Sequence, residues 1–122
     1  MQGAQAMKRI AVFGGRDYDS YANVSWALRL LKEKHGAFTL IHGACPTGAD
    51  SYADAWAVQE GVERERYPAN WDLGRRAGPE RNQMMASSGL DGAVGFPGGS
   101  GTADMAARLD LAGVTVWWPF GR

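Results

Sequence analysis

Five short apolar runs recur along this chain with helical patterns between them, and that alternation constrains its fold more than any other feature. The runs are Arg9 to Phe13, Phe38 to His42, Val62 to Tyr67, Gly92 to Phe96 and Val114 to Trp118. Three are nearly continuous in apolar residues, as strands covered on both faces must be. In the third run Arg64 and Arg66 alternate with Glu63, Glu65 and Tyr67. That places it at an exposed sheet edge, where charges discourage mispairing. Between the runs, Ser20 can cap a first helix whose apolar face is Val24, Ala27, Leu28 and Leu31, with Gly36 as its stop. A second helix runs from about Ala49 to Glu60, with Tyr52, Ala53, Trp56 and Ala57 inward and Gly61 at its end. A third opens with Pro79 at a first-turn position and stops at Gly89. Thr102 is a natural cap for a fourth, which carries Met105, Ala106 and Leu109 inward and stops at Gly113. The repeat unit of about 25–30 residues is the size of a strand–helix–strand crossover. The pattern predicts an α/β fold: a doubly wound parallel sheet of about five strands, order 3-2-1-4-5, with right-handed crossovers and helices on both faces. Residues 1–6 read as a flexible tail, and 7–122 as a single domain with Met7 as a candidate natural start.

Charge and cysteine content narrow the function classes. Thirteen basic and thirteen acidic residues cancel. Affinity for nucleic acid comes largely from neutralising phosphates, so this balance weighs against a backbone-tracking partner. One cysteine, Cys45, excludes an internal disulfide and a Cys-based zinc site. The two histidines, His35 and His42, are too few for a metal centre, and His42 reads as hydrogen-bonded structure. No cofactor is expected. There is no apolar run of ~18 residues for a membrane span, and the start has no hydrophobic signal core. A cytoplasmic location without a membrane partner is therefore expected.

Seventeen glycines are about twice the ordinary share of ~7%, and they gather after strands. Gly14-Gly15-Arg16-Asp17 follows the first, Gly43 to Asp50 the second, and Pro97-Gly98-Gly99-Ser100-Gly101-Thr102 the fourth. Each leads toward a helix start. Ligands of doubly wound sheets bind outside the strand carboxyl ends at the switch point, and free N–H groups at a helix start hold anions. Order 3-2-1-4-5 makes Gly14 to Arg16 face Gly98 to Thr102 across that crevice. The spacing does not fit the dinucleotide fingerprint. The segment Gly43 to Gly48 nearly fits an ATPase loop, but Ala49 and Asp50 stand where Lys and Ser/Thr belong. A carboxylate there repels phosphate and favours a ribose hydroxyl or an amine.

Several side chains join these loops as candidates. Arg16 can fork onto phosphate or carboxylate. Asp50 sits in the first turn of the second helix, where it also suits the dipole. Arg81 and Asn82 fall in the first turn of the third helix, where a cation opposes the dipole and an anionic ligand would explain it. Arg75 and Arg76 read as a small solvated basic patch. Trp71 can stack on a base or cover the core. Met84, Met85 and Met105 read as packing. The expected ligand-binding set is Gly14, Gly15, Arg16, Gly43, Gly48, Asp50, Trp71, Arg81, Asn82, Gly98, Gly99, Ser100, Gly101 and Thr102, with Asp50 and Arg81 as candidate catalytic residues.

Five segments in order carry a resemblance: Gly14-Gly-Arg, His42-Gly-Ala-Cys-Pro-Thr-Gly-Ala-Asp, Pro68-Ala-Asn-Trp, Gly78-Pro-Glu-Arg-Asn-Gln-Met-Met and Gly98-Gly-Ser-Gly-Thr-Ala-Asp-Met. Together, over about residues 8–118, they resemble the YspA/YpsA-related branch of the SLOG superfamily. That superfamily also includes the LOG (lysine decarboxylase-like) phosphoribohydrolases and the DNA-processing DprA/Smf proteins. The resemblance implies a Rossmann-like fold that binds nucleotides or nucleotide-derived ligands. LOG enzymes, which cleave the N-glycosidic bond of nucleoside monophosphates, carry Pro-Gly-Gly-x-Gly-Thr-x-x-Glu and an Arg-Lys pair. Here Pro97 to Thr102 matches the loop and Arg81 the arginine, while Asn82 replaces the lysine and Met105 the glutamate. Methionine can neither stabilise an oxocarbenium ion nor activate water. With Thr102 as cap, however, position 105 is the third helical residue of a capping box, so glutamate there could serve the cap alone.

Three readings follow. The favoured one is a sensing or regulatory binder of a nucleotide-like small molecule. The second is an N-glycosidase or phosphoribohydrolase acting on a nucleoside monophosphate through Asp50. The third, a DprA-like DNA-processing accessory, has the neutral charge against it. A homodimer is expected, with Trp26, Trp56 and Trp118 as anchors.

Overall fold

The computed structural model describes residues 7–122; the expected tail, 1–6, lies outside the described residues. Five strands form one parallel sheet in the predicted order 3-2-1-4-5: β1 (Lys8–Phe13), β2 (Phe38–His42), β3 (Arg64–Arg66), β4 (Gly92–Gly95) and β5 (Val116–Trp117). Four α-helices alternate with them: α1 (Tyr21–His35), α2 (Gly48–Glu60), α3 (Ala77–Ala86) and α4 (Ser100–Leu111). Side chains alternate across the central strand. Ile10 and Val12 join a core with Val24, Leu28, Ala53 and Trp56 of α1 and α2. Ala11 and Phe13 join a second core with Met85, Met105 and Leu109 of α3 and α4. The fold is thus α/β and Rossmann-like, with both sheet faces covered. No helix among the described residues is long and apolar enough to cross a membrane.

Local chemistry sets the element ends. The Ser20 hydroxyl accepts from Asn23 N–H at 3.1 Å and opens α1. Gly61 takes the left-handed conformation that ends α2. β3 is short and lies at the edge, with Arg64 and Arg66 exposed, as their alternation predicts.

Some sequence expectations need correction. A 3₁₀ segment, Trp71–Arg76, precedes α3 and buries none of its residues. The segment kinks at Gly74 and then runs into α3, which starts at Ala77 rather than Pro79. It also ends at Ala86, short of Gly89. Met84 is 62% exposed and packs in no core. Trp56 is buried in the first core and stacks with Phe38, so it cannot anchor a partner. Trp118 turns the other way from Trp117 and meets Phe13 edge-on at 5.3 Å, packed where a Cβ on Gly95 would stand.

Candidate functional site

A cleft of about 660 Å³ opens at the carboxyl ends of the central strands, where the strand order reverses. The loops after β1 and β4 meet there. Gly15 N–H donates to Pro97 O at 3.0 Å, and Gly15 O accepts from Ala49 N–H at 3.2 Å. Glycine is required for this closure. Gly48 has φ +75°, and a Cβ on it would overlap Gly15 O. A Cβ on Gly98 would overlap Thr102 Oγ1 and lie 2.6 Å from Gly15 N. Gly48 and Gly98 thus buttress the cleft and do not line it. Gly14, Gly15, Arg16, Gly43, Asp50, Arg81, Asn82 and the span from Gly99 to Thr102 all line it.

The loop after β2 has its backbone donors turned inward. Ala44 adopts φ +59°, a left-handed conformation rare for a residue with a side chain. Gly43 and Cys45 N–H both donate to Asp50 Oδ2, at 3.1 and 3.3 Å. Successive N–H groups around a left-handed residue make an anion-binding nest, and here the chain's own carboxylate fills it. Burial pushes the Asp50 carboxyl above its usual range, against the pull of the Cys45 and Gly43 N–H groups and the Arg81 charge. Oδ1 takes no hydrogen bond from the described residues. Ala44 N–H donates to His42 Nδ1 at 2.9 Å. The ring proton is therefore on Nε2, which donates to Asp54 Oδ1 at 2.8 Å. Burial opposes ionisation of Asp54, but His42 and Arg64 together hold its carboxyl below the usual range. His42 is thus a buried structural support for the loop.

Across the cleft, Arg81 reaches Gly43 O through Nη1 and Asn82 Oδ1 through Nε, the latter at 3.0 Å. A Cβ on Gly43 would stand 2.7 Å from Arg81 Cζ, so Gly43 makes room for the guanidinium. Because α3 starts at Ala77, Arg81 lies in the second turn, where the helix dipole has faded. Its bond to Gly43 O, not the dipole, fixes its place. Asn82 is buried and donates through Nδ2 to Asp104 Oδ2 at 3.0 Å and Gly101 O at 3.4 Å, stitching α3 to the start of α4. Arg108 and then Asn82 hold the Asp104 carboxyl below its usual range.

The N-terminus of α4 stands open. Gly99, not Thr102, is its N-cap, because Thr102 is the third helical residue and is buried beneath Gly98. No side chain caps α4, and its first turn carries no acidic residue. The other helices differ: Ser20 caps α1, Asp50 lies in the first turn of α2, and Glu80 in that of α3. The first N–H groups of a helix lack intrahelical partners, and at α4 they face the cleft. A Cβ on Gly99 or Gly101 would meet nothing within 4 Å. The corrected cap also moves Met105 out of any capping box. It is buried, and it lines the cleft with Phe13 and Met85.

Trp71 lies outside the cleft, 59% exposed. The Arg16 guanidinium sits 5.1 Å from its ring centroid, linking it to the rim. Arg75 is exposed, as expected, and it also lines the cleft, as do Asp17 and Cys45. The 3₁₀ segment delivers Arg75. Its available signal was Asn70, whose side chain accepts from Asp72 N–H at 3.2 Å as a local cap.

A family model described as YspA, cpYpsA-related SLOG matches residues 8–74, a stretch that takes in β1 to β3 and the loops after β1 and β2. No curated protein matches the chain.

Proposed function

The chain belongs to the YspA, cpYpsA-related SLOG family, and from that premise we propose that it binds a nucleotide or nucleotide-derived small molecule in this cleft, as a sensor or regulatory binder. One observation carries the reading: the uncapped, acid-free N-terminus of α4 opens onto a cleft also lined by Arg16, Arg75 and Arg81. Such a terminus is an anion site, and a guanidinium can fork onto phosphate. Beside it, Asp50 Oδ1 can accept from a ribose hydroxyl or an amine. Binding without turnover is favoured by Met105. A glutamate at that position would project a carboxylate into the cleft; methionine supplies none.

The second reading, hydrolysis of an N-glycosidic bond, draws on one feature. Asp50 is a buried carboxyl with a raised pKa in the cleft, the setting in which carboxylates act as general acids or bases. Both readings are tested by thermal shift and calorimetry with nucleoside mono-, di- and triphosphates, cyclic dinucleotides, NAD and ADP-ribose. A true ligand at 100 times its Kd raises stability by ~2.7 kcal/mol. No shift from any compound overturns the nucleotide reading. The same mixtures are then assayed for free base or ribose phosphate. None is expected; release abolished by Asp50→Asn with binding retained would favour the hydrolase.

A further inference from the structure

The helices cover the two sheet faces unevenly. The pair α1 and α2 packs toward β1 and β2, and α2 contacts both strands. On that same face a groove of about 710 Å³ runs between α1 and β5, lined in part by Leu30, Leu31, Thr115 and Trp117. Beside the groove stands an aromatic ridge. Trp26 is 47% exposed and Phe120 39%, their rings 5.5 Å apart, with Trp26 also 6.3 Å from Trp117. Exposed aromatic clusters of this kind mark interaction surfaces.

We infer that this face joins two copies of the chain about a two-fold axis, the Trp26 ridge of each seated in the groove of the other. Two features select a second copy over other occupants. A ridge and a groove side by side on one face form a self-complementary surface, which a two-fold contact requires. The groove walls also carry both signs of charge, Lys8 and Lys34 against Glu33 and Asp91. A two-fold can bring unlike charges together, whereas a polyanion or an acidic membrane would call for cations alone. Lys8 and Gly92 begin their strands, so the groove lies at the amino end of the sheet, away from the cleft. The groove is therefore separate from the cleft, and the test needs no ligand.

Sedimentation velocity on the full chain, over a wide concentration range and without added nucleotide, tests the inference. A concentration-dependent dimer is expected. Trp26→Glu and Leu30→Lys should each raise its dissociation constant at least ~30-fold, the effect of losing an interface anchor, with circular dichroism unchanged. Leu30→Lys carries the test if Trp26→Glu fails to fold. A wild-type chain that stays monomeric throughout overturns the inference. So do variants that dimerise as well as wild type, or assembly that continues past two copies.

Discussion

The open N-terminus of α4 invites a substitution with two opposed effects. Gly99 is the N-cap, its φ of −100° is outside the left-handed region, and a Cβ there meets nothing within 4 Å. Gly99→Asp therefore has room for its side chain. It supplies the cap that α4 lacks and places a negative charge at the positive end of the helix. Replacing glycine at an N-cap gains a few tenths of a kcal/mol from the capping bond, and the charge adds a similar amount, so the free protein should gain roughly 0.5–1 kcal/mol. For a chain of this length that raises Tm by about 2–4 °C. The same carboxylate occupies the proposed anion site and repels a phosphate. The ~2.7 kcal/mol of ligand stabilisation expected at 100 times Kd should vanish. Gly99→Ala separates charge from bulk: it lowers stability by up to ~1 kcal/mol and keeps binding, because the N–H groups stay free. Thermal melts of the three proteins with and without ligand make the measurement. A Gly99→Asp protein that binds as tightly as wild type refutes the α4 site. One that melts lower than wild type without ligand refutes the reading of Gly99 as a free cap.

Gly48→Ala should destabilise the chain by about 2–4 kcal/mol, since it combines a left-handed backbone with overlap on Gly15 O; a loss under ~1 kcal/mol by urea denaturation would show that the β1 and β2 loops are not locked together. Asp50 bears on the pH dependence of stability. Its folded pKa is raised, so the folded state keeps a proton that the unfolded chain gives up, and stability falls as pH rises from the ordinary carboxylate range through the raised value. Asp50→Asn keeps an oxygen for the Gly43 and Cys45 N–H groups and should remove that part of the slope; urea midpoints with identical pH profiles in both proteins would contradict it. Ligand binding should draw Arg16 off the Trp71 ring and change tryptophan emission, and Trp71→Phe should erase that change while leaving affinity within about threefold, as expected for one exposed cation–π contact.

Strand order and the position of the cleft were legible because both rest on strong patterns. Alternating apolar runs fix a parallel sheet, and the charged alternation of Arg64 and Arg66 puts β3 at the edge. What escaped the sequence lacks a burial pattern or depends on contacts between distant residues. The 3₁₀ segment buries nothing, so no periodicity announces it, and with it went Arg75 and the true start of α3. Thr102 has the chemistry of a cap, but closure of Gly98 onto Gly15 draws it into the interior and hands the cap to Gly99. Trp56 looks like an interface anchor by composition, yet it fills the space between α2 and Phe38.

Two glycine-rich loops flank one cleft, and they stand in opposite electrostatic states. After β2, the left-handed turn at Ala44 gathers N–H groups into a nest, and Asp50 already occupies it. A phosphate placed there would have to displace a carboxylate more than nine-tenths buried and leave it without its donors, a loss of about 1–3 kcal/mol for each unsatisfied buried group. After β4, the helix start has no side-chain cap and no acid in its first turn, and a phosphate there displaces only solvent. The difference is encoded in single residues: Asp50 in the first turn of α2, against Gly99, Ser100 and Gly101 at the start of α4. Because Asp50 also stands within the field of Arg81, exchanging the two arrangements would fail in both directions. An acid at α4 closes the proposed anion site, while loss of the Asp50 side chain frees the nest but removes the acceptor of the Gly43 and Cys45 N–H groups, which holds the β2 loop in its turn. The cleft is thereby polar along its length, with the proposed anion seat at α4 and a hydrogen-bond acceptor at Asp50, and this polarity sets how a phosphate-bearing ligand would lie in it.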